Sequence, residues 1–425
     1  RLSKTVHSLA STRVESSSIP LKCSPQLTEY PISYSQMRIW YLDQLEPNTP
    51  AYNICLCYKL LGPLDVKALN ESVNLIAQRH QSLRTTFEKR EPHPVQIVNR
   101  LEKFSIELLD ISGVPLSEKA SEARALYSKE IHRGFDLSKG PLFRFILIKL
   151  DREEHILVFT VHHIISDGWS MGIIVKDLMS LYYAIVSEKP ISLPSQPFEY
   201  RDYALAQTEW METDACHAQL SYWKQKFKTI PDPLELPTDF PRPAIQSYRG
   251  SSQTIVLDAD LVKQLKRVGA KENTTLFMVL LAGLKTLLHR YTSQPDLCIG
   301  TFVANRNRQE IENIVGFFVN TVAIRTEIHD DPTIADLIVR VRDNALGAFA
   351  NQDPPFERLL EEIKPERSLS RTPIFQVMMV LQNIPLPALE LPNLRCAPIE
   401  LETFRSNFDM TLWMYEIGDQ LKIVF

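Results

Sequence analysis

His162-His163-Ile164-Ile165-Ser166-Asp167-Gly168 holds the residues of this sequence best suited to chemistry, two adjacent histidines with an aspartate and a glycine close behind. An imidazole near neutral pKa is a natural proton acceptor for an attacking amine or hydroxyl. Adjacent histidines at a strand end point to opposite faces, so one can enter a core while the other meets a cavity. Asp167 can hold a histidine or an arginine in place, and Gly168 lets backbone come close to a ligand. By itself such a pair is more often a satisfied core histidine beside a turn carboxylate. The rest of the chain reverses those odds.

The elements that must position this segment are legible around it. Phe143–Leu150 and His155–Val161 are rich in β-branched and aromatic residues and flank Asp151-Arg-Glu-Glu154, a pattern that predicts a hairpin delivering the histidines. A helix is expected from Ser170 through Ile174, Val175, Leu178 and Leu181. Upstream, Ser33 or Ser35 is placed to cap a helix carrying Met37, Trp40 and Tyr41, and Asp65 to cap one running through Leu69, Val73 and Ile76 to Arg79. Arg79 and Arg84 stand at a helix-to-strand junction, where Leu83 and Phe87 draw the chain inward. A buried arginine needs a carboxylate partner. Downstream, Tyr200–Trp210 and a segment with Leu220, Trp223 and Phe227 predict helices, and a Pro-rich arm follows from Ile230 to Gly250. Thr275 is expected to cap a long apolar helix, Asp296–Thr301 to form a strand, and Val315–Arg325 to form another with a polar insertion. Residues 1–28 have a linker's composition. The expected organisation is this linker and two α/β lobes of similar size, 29–195 and 196–425.

The chain has 425 residues, 44% hydrophobic and 23% charged, which describes a globular protein of two or three domains. A net charge of −4 gives no support for nucleic acid or an anionic membrane as partner. No apolar run approaches the roughly 18 residues of a membrane span, and no signal peptide opens the chain, so a cytoplasmic location is expected. The sequence starts at Arg1, as an excised piece of a longer polypeptide would, and Leu421–Phe425 stop in what reads as a strand, so the piece is expected to be incomplete there. Six scattered cysteines without a CxxC pair predict reduced thiols and no zinc or other metal site. No Walker loop and no GxGxxG is present, so nucleotide-dependent chemistry is disfavoured and substrates are expected to arrive activated.

In this order, Ser35-Gln36-Met37-Arg38 with Trp40, Arg79-His80 with Leu83-Arg84-Thr85, His162–Gly168, Tyr200-Arg-Asp202-Tyr203, Val315–Thr321, Asn351-Gln352-Asp353 with Pro355-Phe356-Glu357, and Ser370-Arg371-Thr-Pro373 resemble the condensation domains of nonribosomal peptide synthetases. The resemblance covers about Pro31 to Phe425. It implies a V-shaped pseudo-dimer of two chloramphenicol acetyltransferase-like lobes with a tunnel between them. Each tunnel end would admit a phosphopantetheine arm borne by a carrier domain, donor on one side and acceptor on the other, with an adenylation domain adjacent and no cofactor bound by this chain itself. It implies that His163 faces the tunnel as base or amine-positioning group, with His162, Asp167 and Gly168 completing the motif and Ser166, Trp169 and Asn351 supporting it. Asp167 would pair with Arg79 or Arg84. Gln81 departs from the family's usual Glu, and Pro354 from its aromatic or valine.

The same resemblance ranks the activities. Epimerization domains resemble HHxxxDxxSW, whereas Gly168-Trp169-Ser170 follows the aspartate here. Heterocyclization domains replace the histidines by aspartates. Non-catalytic modules that dock carriers or tailoring enzymes tend to lose the histidine motif, and a coenzyme A acyltransferase would not need the N-terminal linker. Amide formation from carrier-bound thioesters, with an L-configured or achiral donor, is the expected function.

Overall fold

The computed structural model describes residues 19, 21–25, 27–100, 103–366, 368–382, 387–401 and 406–425. Most of the expected linker lies outside them. Its described part packs down: Ile19 joins Tyr200, Tyr203 and Trp210 in a small core, and the Ser24 backbone N–H donates to Asp202 at 2.9 Å.

The hairpin forms as its sequence predicts. Strands Phe143–Asp151 and Glu154–His162 pair antiparallel, with Phe145 opposite Phe159 and their rings stacked at 4.2 Å. They lie inside a five-stranded sheet in the order Arg395–Pro398, Asn53–Leu61, Glu154–His162, Phe143–Asp151, Glu107–Asp110. Alternation divides the histidine strand between two cores. Leu157, Phe159 and Val161 pack with helices Val66–Arg79 and Gly168–Val186, whereas Ile156 and Val158 pack with Ala123 of helix Leu116–Ile131.

Asp65 caps its helix as expected, accepting from Lys67 and Ala68 N–H at 2.9 Å, and Ser33 caps the helix Tyr34–Leu45. The helix after the histidines starts at Gly168 with Asp167 as its cap, two residues before the expected Ser170. That helix also corrects the membrane reading. Its 19 residues are long and apolar enough to cross a membrane by length and composition. Half of that stretch is buried: Met171, Ile174, Val175, Leu178 and Leu181 lie in the core of the first sheet.

The second sheet has six strands in the order Asn320–Glu327, Asp296–Val303, Val377–Gln382, Met410–Ile417, Gln420–Val424, Thr254–Leu257. Helices Leu276–Thr292 and Ile334–Ala350 contribute to its core. The chain does not stay on this side. Arg395–Pro398 pairs with Asn53–Leu61, and Leu389 and Leu391 enter the first core, so a segment from the later half completes the earlier sheet. The expected strand over Val315–Arg325 begins only at Asn320. The backbone of residues 315–318 bonds side chains of the first half and so is not free for a ladder.

Lys285, fully buried under the second sheet, donates to the Leu297 and Ile324 carbonyls at 2.8 Å each. Burial pulls its pKa down to about 7. An unfolded lysine titrates near 10.4, so above pH 7 the unfolded chain holds a proton that the folded chain lacks, and this group's contribution to stability rises with pH from about 7 to about 10. Thermal melts of wild type and Lys285→Met across pH 7–9 should show the wild type gaining on the variant as pH rises. Parallel pH dependences would contradict the assignment.

Candidate active site

His162 ends its strand and turns inward. Its ring is 1% exposed and packs edge-on to Phe135 at 6.0 Å. Nδ1 accepts the Ile164 N–H at 3.2 Å, so the neutral ring carries its proton on Nε2. Burial, with a smaller contribution from His163, lowers its pKa to about 3.

His163 opens the helical turn His163–Ile165 and keeps some exposure. Its Nδ1 lies 2.8 Å from the Ser166 carbonyl oxygen. A carbonyl only accepts, so Nδ1 must carry the proton and Nε2 is left as the unprotonated nitrogen. Burial holds the imidazolium below its ordinary range, an effect that the Asp167 charge partly offsets. The Ile164 carbonyl accepts from the Gln36 side chain at 3.0 Å, which ties the turn to helix Tyr34–Leu45. Together these contacts present a neutral imidazole of fixed tautomer.

Asp167 anchors the segment from below. One oxygen accepts the Ser170 N–H at 2.8 Å, closing the helix cap, and the other accepts the Phe318 N–H at 3.0 Å. Its ion pair is with Arg306 at 3.3 Å, both side chains having no exposure. Neither expected partner fills that place. Arg79 pairs with Asp177 at 3.0 Å, which His80 also contacts at 2.9 Å, and Arg84 donates to the Asn99 carbonyl at 2.8 Å. Asp177 lies on the same helix as Ser170 but about 15 Å along the axis from Asp167, so an arginine held there cannot reach Asp167.

Arg306 follows strand Asp296–Val303 and gathers the second half onto the histidine segment. It donates to the Ile311 and Ile314 carbonyls and to the Ser170 hydroxyl at 2.6, 2.7 and 2.8 Å, with its guanidinium 4.1 Å from the Phe318 ring centre. Ser170 also bonds both backbone groups of Gly316, at 2.9 and 3.0 Å. Tyr200 donates to the Phe317 carbonyl at 2.6 Å, and Ser82 to that of Val315, also at 2.6 Å. A Cβ on Gly316 would come within 2.0 Å of the Tyr200 ring, which only glycine avoids. Phe317 then lies 4.7 Å from His163, ring to ring.

The other expected residues occupy distinct places. Ser166 is buried and supplies the carbonyl that fixes His163. The Trp169 indole N–H donates to the Glu312 carbonyl at 2.8 Å. Gly168 is exposed, lies outside the left-handed region, and a Cβ there would meet nothing within 4 Å, so open space faces it. Asn351 caps helix Ile334–Ala350, its amide donating to the Gly347 carbonyl at 2.8 Å and its own carbonyl accepting the Trp223 indole at 2.6 Å. Those bonds do not touch the histidine segment. Asn320 instead braces the loop after it, donating to the Gln352 and Pro354 carbonyls at 2.8 Å. Where Gln81 departs from the family pattern, Glu199 brings a carboxylate, accepting the Gln81 N–H at 3.4 Å near Arg84 and Arg201; burial raises its pKa to about 7. A surface groove of about 690 Å³ beside Asn70, Asn74 and Lys103 is lined by none of the histidine segment. Among the described residues, no group of three or more His, Cys, Asp or Glu side chains is arranged for a metal.

Arg306, Ser170 and Phe317 contact the histidine segment, and the sequence did not single them out. Phe317 stood inside a noted motif; Arg306 carried only the weak signal of following a strand end.

Comparison with known proteins fits this geometry. The Condensation domain family matches residues 26–425. A linear gramicidin synthase polypeptide from Brevibacillus parabrevis is 42% identical over 426 residues, 100% of this chain, and the chain spans 8% of that relative's length. The X-domain from teicoplanin biosynthesis superposes with a TM-score of 0.86 at 26% identity, over 96% of this chain and 91% of the other. The same X-domain in complex with OxyB gives 0.85 at 25% identity, over 95% and 89%.

Proposed function

The chain belongs to the condensation-domain family, and from that premise we propose that it forms amide bonds between carrier-bound substrates. The amine of an aminoacyl group on a downstream carrier attacks the thioester carbonyl of an acyl or peptidyl group on an upstream carrier. The new C–N bond forms as the C–S bond breaks. The proton leaving nitrogen passes to Nε2 of His163 and then to the departing thiolate. The observation carrying this reading is the Nδ1–H···Ser166 carbonyl bond, which leaves Nε2 of a neutral imidazole as acceptor. A thioester is already activated, so positioning and one base suffice.

On this reading the two sheets and their helices are the lobes of a V-shaped acetyltransferase-like pseudo-dimer, divided near 195 with residues 387–401 exchanged, and the substrate arms meet in a tunnel at His163. Gly168 leaves room on the substrate side, Trp169 and Asn351 shape the surroundings, and Asp167 holds the segment. The donor is L-configured or achiral, and an adenylation domain adjoins the chain in a multidomain synthase. The acid limb of the single-turnover pH–rate profile should fall below pH 6.5, the ordinary histidine value, because protonating His163 removes the acceptor. A limb above that value would contradict the assignment of His163 as base.

The likeness to an X-domain held in complex with OxyB favours one second reading, a docking module for carriers or a tailoring enzyme. It predicts no dependence of function on His163.

A further inference from the structure

We propose that Phe317 is a positioning residue for His163: its ring, delivered from the second half of the chain, sets the imidazole's orientation and covers it from water. The inference rests on the reading of His163 as base and adds a residue to it.

Three consecutive residues fix where this ring goes. The Gly316 N–H and carbonyl are held by the Ser170 hydroxyl, the Phe317 carbonyl by Tyr200, and the Phe318 N–H by Asp167. Tyr200 is itself fixed by Ser33 at 2.7 Å, so the clamp includes the cap of helix Tyr34–Leu45. With the backbone pinned on both sides, the direction of the Phe317 Cα–Cβ bond is fixed. It meets His163 at 4.7 Å and 63°, an edge-to-face arrangement. Phe317 also packs against two separate cores, the one under the first sheet and the one around Tyr200. An aromatic ring that bridges two cores moves little, so it is a firm wall for the base.

This wall acts on the proton as well as on geometry. The ionisable groups around His163 are His162 and Asp167 on its own segment, Arg306 paired with Asp167, and Tyr200 behind Phe317. Asp167 favours the imidazolium but is engaged by Arg306, so desolvation dominates and the neutral ring is preferred. Removing the Phe317 ring admits water to the imidazole and relieves that desolvation.

The direct test is an NMR titration of the His163 ring carbon in histidine-labelled protein, assigned with His163→Gln. Phe317→Ala should raise the His163 midpoint by about half to one pH unit, whereas Phe317→Leu, which keeps an apolar cover, should stay near wild type. In single turnover between loaded carriers, the acid limb of Phe317→Ala should move up by the same amount and the plateau rate fall about tenfold. An unmoved midpoint in Phe317→Ala overturns the proposal, even with a lowered rate, because a packing role alone would slow the reaction without shifting the titration. If the alanine variant fails to fold, Phe317→Thr is titrated instead and the same outcomes apply. A shifted midpoint without any carrier-to-carrier reaction in wild type would uphold this contact and reject the reaction, so the two failures are distinguishable.

Discussion

Asp167→Ala should lower the stability of the folded chain by about 3–5 kcal/mol, the usual consequence of leaving one member of a buried ion pair alone. The substitution strands the unexposed Arg306 guanidinium and removes the acceptors of the Ser170 and Phe318 N–H groups. It therefore loosens the histidine segment and the 316–318 backbone together. Removing both charges should be less damaging than removing one, since no unpaired ion is then buried. Asp167→Ala/Arg306→Met should recover part of the loss, but not all, because the Ile311 and Ile314 carbonyls lose their donor. Urea melts of the single and double variants check this. A single variant as stable as wild type would contradict the anchoring role.

The second large effect is kinetic. His163→Ala should slow amide formation by roughly 10²–10⁴, the range for a lost general base, while the fold persists. The reason lies in placement. His163 keeps some exposure, so its loss leaves little packed void, and the contact with Phe317 is worth about 0.5–1.5 kcal/mol at most. His162→Ala should behave in the opposite way, destabilising because that ring is buried against Phe135. Parallel melts and rates for the two variants check the division of labour. Very nucleophilic acceptors should narrow the loss at His163, since a thioester reacts with a free amine unaided.

The local grammar of the chain was legible because its causes are local. Runs rich in β-branched and aromatic residues around a polar turn make the hairpin, and Asp65, Ser33 and Thr275 cap helices by bonding backbone a few residues away. Strand alternation led to the expectation of one inward and one outward histidine, but the strand ends at His162 and His163 opens a helical turn, so that turn and its bond to Ser166 place the second ring. The ion pair at Asp167 was not legible, because its partner is 139 residues distant and no pattern of spacing connects them. Arg79 and Arg84 were nearer and in a familiar motif, yet Asp177 and the Asn99 carbonyl occupy them. Val315–Val319 has the composition of a strand, but its backbone groups are taken by Ser82, Ser170, Tyr200 and Asp167. Tertiary hydrogen bonds override propensity there. The return of Arg395–Pro398 to the first sheet was likewise hidden, since four short residues carry no sign of which sheet edge they complete.

Single-turnover transfer between two separately loaded carrier domains tests the central claim most directly. With an acylated donor and an aminoacylated acceptor, the wild-type chain should move the acyl group to the acceptor amine and leave the donor thiol free. Omitting either carrier, or supplying free amino acids with ATP instead, should yield no amide. Amide formation without carriers, or the same transfer rate with and without this chain, would contradict the account.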